Sequence, residues 1–302
     1  MKNEKIIEQF KNDFNLLVNL LEENKEDGFT KIKYMIHQYS DPIDECNTFY
    51  VQDLLTQSML LIYLKDNKII YPNVIEYDLP YLLYIYAKEL ENRGLISEAS
   101  DIIEKACEIE LFNYDYIHYY YELNVIKNQL NDNMNILNRL FIASANEKQL
   151  ANYYILLANE VRKSGNIKHA LGLYQYSQNF YYIDESSEYQ KEIWLDNSNN
   201  YDKPLSDEQL EELLLTGEFA PEANYYAISG YYTASYVLQL ENSYKGAHNV
   251  LTSLKKVLAN KASLKQWNEA MGELQSEAAS HGVDLNSEIK KSLSKLKCNV
   301  RH

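Results

Sequence analysis

Two stretches of the chain carry the same pattern of small residues in the same register. The corresponding positions are Ala87 and Ala158, Gly94 and Gly165, Ala99 and Ala170, and Ala106 and Ser177. In each stretch the last three lie 7, 12 and 19 positions after the first. Two helices that pack closely need small side chains where they touch, and glycine suits the turn between them because it tolerates positive φ. The pattern therefore predicts two helical hairpins of the same kind.

The composition is also typical of a helical chain. Only 9 Gly and 5 Pro are spread over 302 residues, fewer than folds built from strands and turns require. Apolar residues make up 46% of the chain, and they recur at three- and four-residue spacing over long segments. We expect an all-α fold, an α-solenoid of antiparallel helical hairpins with an N-terminal helical cap.

Local signals divide the chain into four segments. They are an N-terminal helical cap at 1–75, helical hairpins at 76–183, an irregular insert plus a capped helix at 184–222, and a C-terminal hairpin with capping helices at 223–302. The cap is expected to begin with one long helix that breaks near residues 27–28. Turn-forming residues at 184–187 and 196–200 predict an interruption, and Ser206 with Gln209 three residues later predicts a capped helix after it.

The repeated pattern resembles the tetratricopeptide repeat family. That family's unit of about 34 residues pairs a helix carrying one small residue with a second helix carrying two. Ala87 and Ala158 match the small residue of the first helix, and the two hairpins lie 71 residues apart, or about two such units. The resemblance covers 80–182 and, less closely, 223–257. The proline that usually closes the repeat is missing from both hairpins, which is typical of a divergent member.

The resemblance implies a binding protein, because the first helices of such repeats line a concave groove that holds a peptide or a helix. The implied groove residues are Tyr81, Tyr84, Lys88 and Glu91 in the first hairpin, Asn152, Ile155, Asn159, Arg162 and Lys163 in the second, and Ser229, Tyr232, Tyr236 and Gln239 in the last. Asn159 matches an asparagine with which one subfamily holds a C-terminal carboxylate, but Ile155 stands where its lysine partner would be. We do not predict that kind of clamp.

Tyrosine is unusually frequent, with 28 Tyr against 8 Phe and 2 Trp. Its ring gives a large contact area at low entropic cost and its hydroxyl adds a hydrogen bond, so tyrosine suits recognition surfaces. Most tyrosines of a helical stack nevertheless fill the space between helices. Tyr81, Tyr84, Tyr232 and Tyr236 are the strongest groove candidates, because they lie on first helices away from the small-residue positions.

Charge and cysteine content restrict the partners and the compartment. The formal net charge is −15, and ten Lys or Arg against five Asp or Glu follow residue 242, so the first 242 residues carry about −20. That charge should repel nucleic acid, and no apolar run is long enough for a membrane span or a secretion signal. Three scattered cysteines, Cys46, Cys107 and Cys298, form no metal-binding pair and no disulfide framework. We expect a cytoplasmic protein that binds a protein or a peptide.

No catalytic motif is present. The sequence has no phosphate-binding glycine loop, no HExxH and no GxSxG, and we predict no catalytic residue, no cofactor and no metal site. His169 and His248 both directly precede a small alanine of a second helix, which predicts surface positions for both and argues against a metal pair.

Three functional hypotheses follow from these patterns. The leading one is a non-enzymatic tetratricopeptide-like adaptor that binds a peptide or protein segment on its concave surface. The second is a peptide-sensing regulator that resembles the pheromone receptors of Gram-positive bacteria and changes shape on binding. The third is an enzyme, or an enzyme's partner, with a site near the insert at 184–204, where Trp194 lies among polar residues.

Overall fold

The computed structural model describes residues 2–40, 47–127, 130–196, 201, 203–216 and 222–285. Fourteen α-helices lie in these ranges, and neighbouring helices pack against each other in series. The all-α prediction is therefore confirmed. Close packing divides the chain into two compact units, Met1–Ala143 (unit 1) and Ser144–His302 (unit 2). No helix in the described part of the chain combines the length and the apolar content needed to cross a membrane.

Unit 1 holds seven helices and two very short strands in its described residues. In chain order they are α1 Lys2–Glu23, α2 Lys25–Ser40, β1 Thr48–Phe49, α3 Leu54–Asp66, β2 Asn73–Val74, α4 Leu79–Asn92, α5 Ile96–Ile109, α6 Tyr114–Ile126 and α7 Leu130–Ala143. Helix α1 packs on α2, and α2 packs on α4. Within the unit, α4 packs on α5, α5 on α6 and α6 on α7. The four-segment division predicted from the sequence remains a prediction.

The first two helices form a close pair, and the break between them is at Asn24. The predicted break near residues 27–28 is wrong because Gly28 has a different role. A Cβ atom built on Gly28 would lie 2.6 Å from Leu21 Cδ2 and 3.0 Å from Leu21 Cα, so only glycine lets the backbones approach this closely. Further along the pair, Asp13 accepts hydrogen bonds from Lys31 at 2.5 Å and from the Tyr39 hydroxyl at 2.7 Å.

The strands were not expected from the sequence. β1 and β2 pair in parallel, Thr48 with Asn73 and Phe49 with Val74, on either side of α3. Directly after β1, the Tyr50 N–H donates to the Ile109 carbonyl at the end of α5 over 2.9 Å. This bond ties the strand pair to the hairpin of α4 and α5.

The small residues of the repeated pattern lie at helix contacts. Ala87, Ala99 and Ala106 of the first hairpin and Ala158, Ala170 and Ser177 of the second are all 0% exposed. Both turn glycines have positive φ, +77° at Gly94 and +85° at Gly165, as the pattern predicts.

Unit 2 contains seven helices in its described residues. They are α8 Glu147–Lys163, α9 Ile167–Ser177, α10 Asp184–Leu195, α11 Asp207–Thr216, α12 Tyr225–Leu240, α13 Tyr244–Lys255 and α14 Lys261–Ser280. Helix α9 packs on α8, α10 and α11, and α13 packs on α12 and α14. The last hairpin turns at Asn242, which has φ +58°. Of the two segments predicted at 184–222 and 223–302, residues 197–200, 202, 217–221 and 286–302 lie outside the described residues.

Helix α10 corrects the expectation of loops at 184–187. Its Ser186 is buried and donates to the Tyr174 carbonyl over 2.7 Å, while the Ser177 Oγ lies 3.0 Å from the Ser186 Oγ. Ser177 stands where the first hairpin has Ala106, and its hydroxyl contacts Ser186 of α10. The predicted cap of α11 is confirmed: the Gln209 N–H donates to Ser206 Oγ and the Ser206 N–H to Gln209 Oε1. Residues 197–200 of the second predicted loop are outside the described part.

Candidate functional site

One face of α4 carries a row of residues that the sequence assigned to the groove. We call Tyr81, Tyr84, Lys88 and Glu91 the α4 strip. The Tyr81 and Tyr84 rings stack with centroids 6.2 Å apart, and Tyr84 in turn stacks on Tyr116 of α6 at 5.2 Å. Tyr81 is 41% exposed, whereas Tyr116 is buried behind the strip. The strip is therefore an accessible aromatic surface with a rigid aromatic backing.

The polar end of the strip is held by Tyr119 of α6. Lys88 Nζ lies 3.5 Å above the centre of the Tyr119 ring and 3.3 Å from the Glu91 carboxylate. The Tyr119 hydroxyl donates to the same carboxylate over 2.8 Å, and burial together with this bond raises the pKa of Tyr119. Both charged side chains remain partly exposed, 40% for Lys88 and 31% for Glu91. They are thus fixed in position and still reachable.

At the N-terminal end of α4 the strip meets a cleft of about 410 Å³. Helix α1 forms one wall with Phe10, Lys11 and Phe14, and Tyr77 and Tyr81 face it from the α4 side. The Phe14 and Tyr81 ring centroids are 5.8 Å apart, and those of Phe10 and Tyr77 are 5.2 Å apart. Tyr81 belongs to both features, so the strip and the cleft form one continuous surface.

The cleft also contains two carboxylates, those of Glu76 and Asp78. Asp78 caps α4 by accepting from the Tyr81 N–H over 3.0 Å, and it accepts a hydrogen bond from the Tyr50 hydroxyl. Burial raises the pKa of Asp78, although these two hydrogen bonds act in the opposite direction. Burial, with a contribution from Asp78, also raises the pKa of the Tyr50 hydroxyl to about 12.

A third carboxyl group, that of Glu110 at the end of α5, lies within electrostatic range of the cleft. Glu110 is 2% exposed, and its Oε2 atom has no hydrogen-bond partner in the described part of the chain. Burial raises its pKa to about 8, the Asn113 side chain opposes the rise by a hydrogen bond, and the charges of Asp78 and Asp53 add to it. The cleft is therefore lined by two carboxylates, and a third, buried carboxyl group interacts with one of them.

The groove candidates of α8 are largely occupied in holding neighbouring helices. Asn159 accepts from the Tyr174 hydroxyl of α9 over 2.5 Å, and Arg162 pairs with Glu192 of α10 at 2.9 Å. Ile155 is 4% exposed, so the expectation that it lines a groove is wrong: its side chain belongs to the core of unit 2.

The remaining α8 candidates are partly accessible. Lys163 is 47% exposed and pairs with Glu160 one turn before it at 2.7 Å, and Asn152 is half-buried. The stripe that the sequence predicts is therefore present along α8, but its polar side chains mainly serve structure.

The candidates of α12 form a more exposed face. Tyr236 is 61% exposed, whereas Tyr232 is half-buried and its hydroxyl has no partner among the described residues. Gln239 is bonded to Ser235 of the same helix at 3.3 Å, and Ser229 is half-buried. Helix α12 contains no charged residue, so its face has no counterpart of the Lys88–Glu91 pair of the α4 strip.

The histidines at the two repeat-related positions lie partly exposed, as predicted. Burial lowers the pKa of His248. Within the ranges that the structure describes, no three His, Cys, Asp or Glu side chains are close enough together to hold a metal ion. Cys107 is fully buried, as expected of a small core residue.

Sequence reasoning missed the cleft. Its walls come from α1, from the residue after β1 and from the start of α4, which are far apart in the sequence. The one local signal was Asp78 two residues before Pro80, which indicates a helix start and not a binding site. No protein-family model matches the chain, and no curated protein matches its sequence.

Proposed function

We propose that the chain is a non-enzymatic tetratricopeptide-like adaptor, an α-solenoid of helical hairpins that binds a peptide or protein segment along the α4 strip. The observation that carries the proposal is the strip itself. It presents two stacked tyrosines, a lysine and a carboxylate in a row on one helix face, with a rigid aromatic backing and a cleft at one end. Rows of this kind suit an extended segment, since aromatic rings supply contact area and the charged pair supplies orientation.

The repeat assignment is supported by the matching hairpins of the two units. In both, three small residues are fully buried at equivalent positions and a glycine of positive φ makes the turn. Closely packed helix pairs of this type leave their first helices available to line a binding surface.

The α4 strip is favoured over the other two predicted surfaces because it combines stacked tyrosines, a partly exposed charged pair and an adjacent cleft. On α8, Asn159 and Arg162 already hold α9 and α10. On α12, Tyr236 is exposed, but the helix contains no charged residue.

The charge of −15 favours a protein or peptide partner over nucleic acid, because phosphate backbones would be repelled. The proposal includes a cytoplasmic location, and the buried free thiol of Cys107 is compatible with a reducing compartment.

The test is binding to an array of short random peptides, acetylated and amidated so that their ends carry no charge. Wild type, Tyr81→Ala and Tyr84→Ala are compared with Tyr71→Ala as a matched control, since Tyr71 is 88% exposed and outside the strip. Peptides that bind wild type should lose about tenfold or more in affinity on either strip substitution, which is typical of an interface tyrosine. They should bind the Tyr71→Ala variant as they bind wild type.

The adaptor proposal fails if no peptide binds, or if the control substitution weakens binding as much as the strip substitutions. Small-angle scattering with and without a bound peptide separates the adaptor from the peptide-sensing regulator. An unchanged profile favours the adaptor, and a change in the radius of gyration on binding favours the regulator.

A further inference from the structure

We propose that the cleft at the N-terminal end of α4 is a subsite for a basic side chain, an arginine or a lysine, of the bound segment. This inference rests on the proposed function, because it names what the end of the α4 strip recognises. A basic side chain has an apolar stem and a cationic head, and the cleft provides a matching partner for each.

The first argument is charge. Glu76 and Asp78 both line the cleft, and neither has an ion-pair partner among the residues that the structure describes. The basic lining residue Lys11 is exposed on α1. The Asp78 carboxylate is bound by two neutral donors, the Tyr81 N–H and the Tyr50 hydroxyl, so its charge is oriented but not balanced. A cation that enters the cleft would balance it.

The second argument is the Glu110 carboxyl, which interacts electrostatically with Asp78 although it does not line the cleft. The Glu110 carboxyl is almost fully buried, and its Oε2 atom lacks a partner in the described residues. The carboxyl groups of Glu110 and Asp78 interact electrostatically. Glu110 keeps its proton up to about pH 8, and a cation bound beside Asp78 would favour its ionised form and so strengthen the negative potential at the cleft.

The third argument is the aromatic lining. Phe14 and Tyr81 face each other 5.8 Å apart, and Phe10 and Tyr77 lie 5.2 Å apart. Such rings contact an aliphatic stem and attract a cationic head through their faces, in the way that Lys88 already lies 3.5 Å above Tyr119.

The cleft, at about 410 Å³, is large enough to admit one long basic side chain. Because Tyr81 belongs to both the cleft and the strip, a segment that follows α4 would place one residue at this end. The two carboxylates of the lining, Glu76 and Asp78, disfavour a carboxylate or a phosphate there.

The experiment is a double-mutant cycle with peptides that bind on the array. Each arginine of a binding peptide is replaced by citrulline, its neutral isostere, and each lysine by acetyl-lysine. The proteins are wild type and Asp78→Asn, which retains the helix cap because asparagine caps as well as aspartate. Asp53→Asn is the matched control, since Asp53 caps α3 outside the cleft.

We expect one basic position in each peptide at which neutralisation costs about tenfold in affinity for wild type and less than about twofold for Asp78→Asn. Asp53→Asn should behave as wild type. The proposal is overturned if neutral peptides bind wild type as tightly as basic ones, or if Asp78→Asn weakens both kinds equally.

A separate arm tests the cleft even if the array shows no binding and the adaptor proposal fails. N-acetylarginine methylamide and its lysine analogue are titrated into the ¹⁵N-labelled protein. Saturable shifts at the Tyr77 and Tyr81 amides, weakened about tenfold in Asp78→Asn, would support the subsite and show which cation it prefers. The absence of saturable shifts with both compounds would refute it.

Discussion

Replacing Glu110 by Gln should stabilise unit 1 at alkaline pH, because it removes a charge that the fold accommodates poorly. Glu110 is 2% exposed at the end of α5, and its side chain is bonded to Asn113. Glutamine has nearly the same shape, and its carbonyl oxygen retains the bond from Asn113. The substitution therefore changes ionisation and little else.

The magnitude follows from the pKa of Glu110. Burial, opposed by the bond from Asn113 and reinforced by Asp78 and Asp53, raises this pKa from 4.5 to about 8 in the folded chain. Between these two values the folded state holds the proton and the unfolded state releases it, so the folded state binds more protons. The stability of wild type must then fall as pH rises from about 4.5 to about 8. The full shift corresponds to roughly 4–5 kcal/mol, and we expect about 2 kcal/mol after structural relaxation.

The assay is urea unfolding followed by far-ultraviolet circular dichroism at about pH 5 and about pH 9. Glu108→Gln is the matched control, because Glu108 is an exposed residue of the same helix. Both tryptophans, Trp194 and Trp267, belong to unit 2, so their fluorescence reports on that unit alone.

Glu110→Gln should raise the midpoint of the circular dichroism transition at the higher pH and leave it nearly unchanged at the lower. Glu108→Gln should change neither. A Glu110→Gln variant that is equally or less stable than wild type at the higher pH would refute the reasoning, since it would mean that the Glu110 charge is not destabilising.

Substitutions at three further positions test the backbone and the packing. Gly28→Ala should destabilise unit 1 by about 1–2 kcal/mol, because the new Cβ would meet Leu21 at 2.6 Å and the gain in helix propensity offsets only part of the strain; a thermal melt with an unchanged midpoint would contradict this. Gly165→Ala should lower the free energy of unfolding by about 1–2 kcal/mol. Because no atom lies within 4 Å of the new Cβ, this loss comes from the backbone alone, whose φ is +85°. Gly165→Asn should lower the free energy of unfolding less, and urea unfolding of both variants measures the difference. Trp267→Phe should cost about 1–2 kcal/mol, because the indole N–H donates to the Leu251 carbonyl over 2.6 Å; chemical unfolding followed by circular dichroism measures it, and equal stability would mean that the bond contributes nothing.

The parts of the fold that the sequence predicts correctly depend on interactions within a few residues. A residue at the turn of a hairpin must accept positive φ, and Gly94, Gly165 and Asn242 all do so. The reciprocal bonds of Ser206 and Gln209 likewise join residues three apart.

The predictions that failed concern residues that are compatible with both a loop and a helix. Gly28 is a poor helix former, yet it lies inside α2 because Leu21 leaves no room for a side chain. The acidic and hydroxyl residues at 184–187 suit a loop and equally suit the start of a helix. Here the buried bond from Ser186 to the Tyr174 carbonyl selects the helix, and no local pattern reveals that bond.

The same distinction applies to the candidate site. The register of the repeat was sufficient to place Tyr81, Tyr84, Lys88 and Glu91 on one face of α4, because residues three and four apart share a helix face. It did not indicate which of the three predicted surfaces is free to bind, since that depends on neighbours such as Glu192, which engages Arg162.

By itself the sequence determined that the chain is helical, that two of its hairpins are alike, and which helix faces carry tyrosine. These properties follow from backbone sterics and from the helical period. Only the tertiary structure decided that α1 and the start of α4 line one cleft. It also brought the carboxyl groups of Asp78 and Glu110, which are far apart in the sequence, close enough to interact electrostatically. Burial and the proximity of distant charges arise when elements pack, so they cannot be read from the order of residues along the chain.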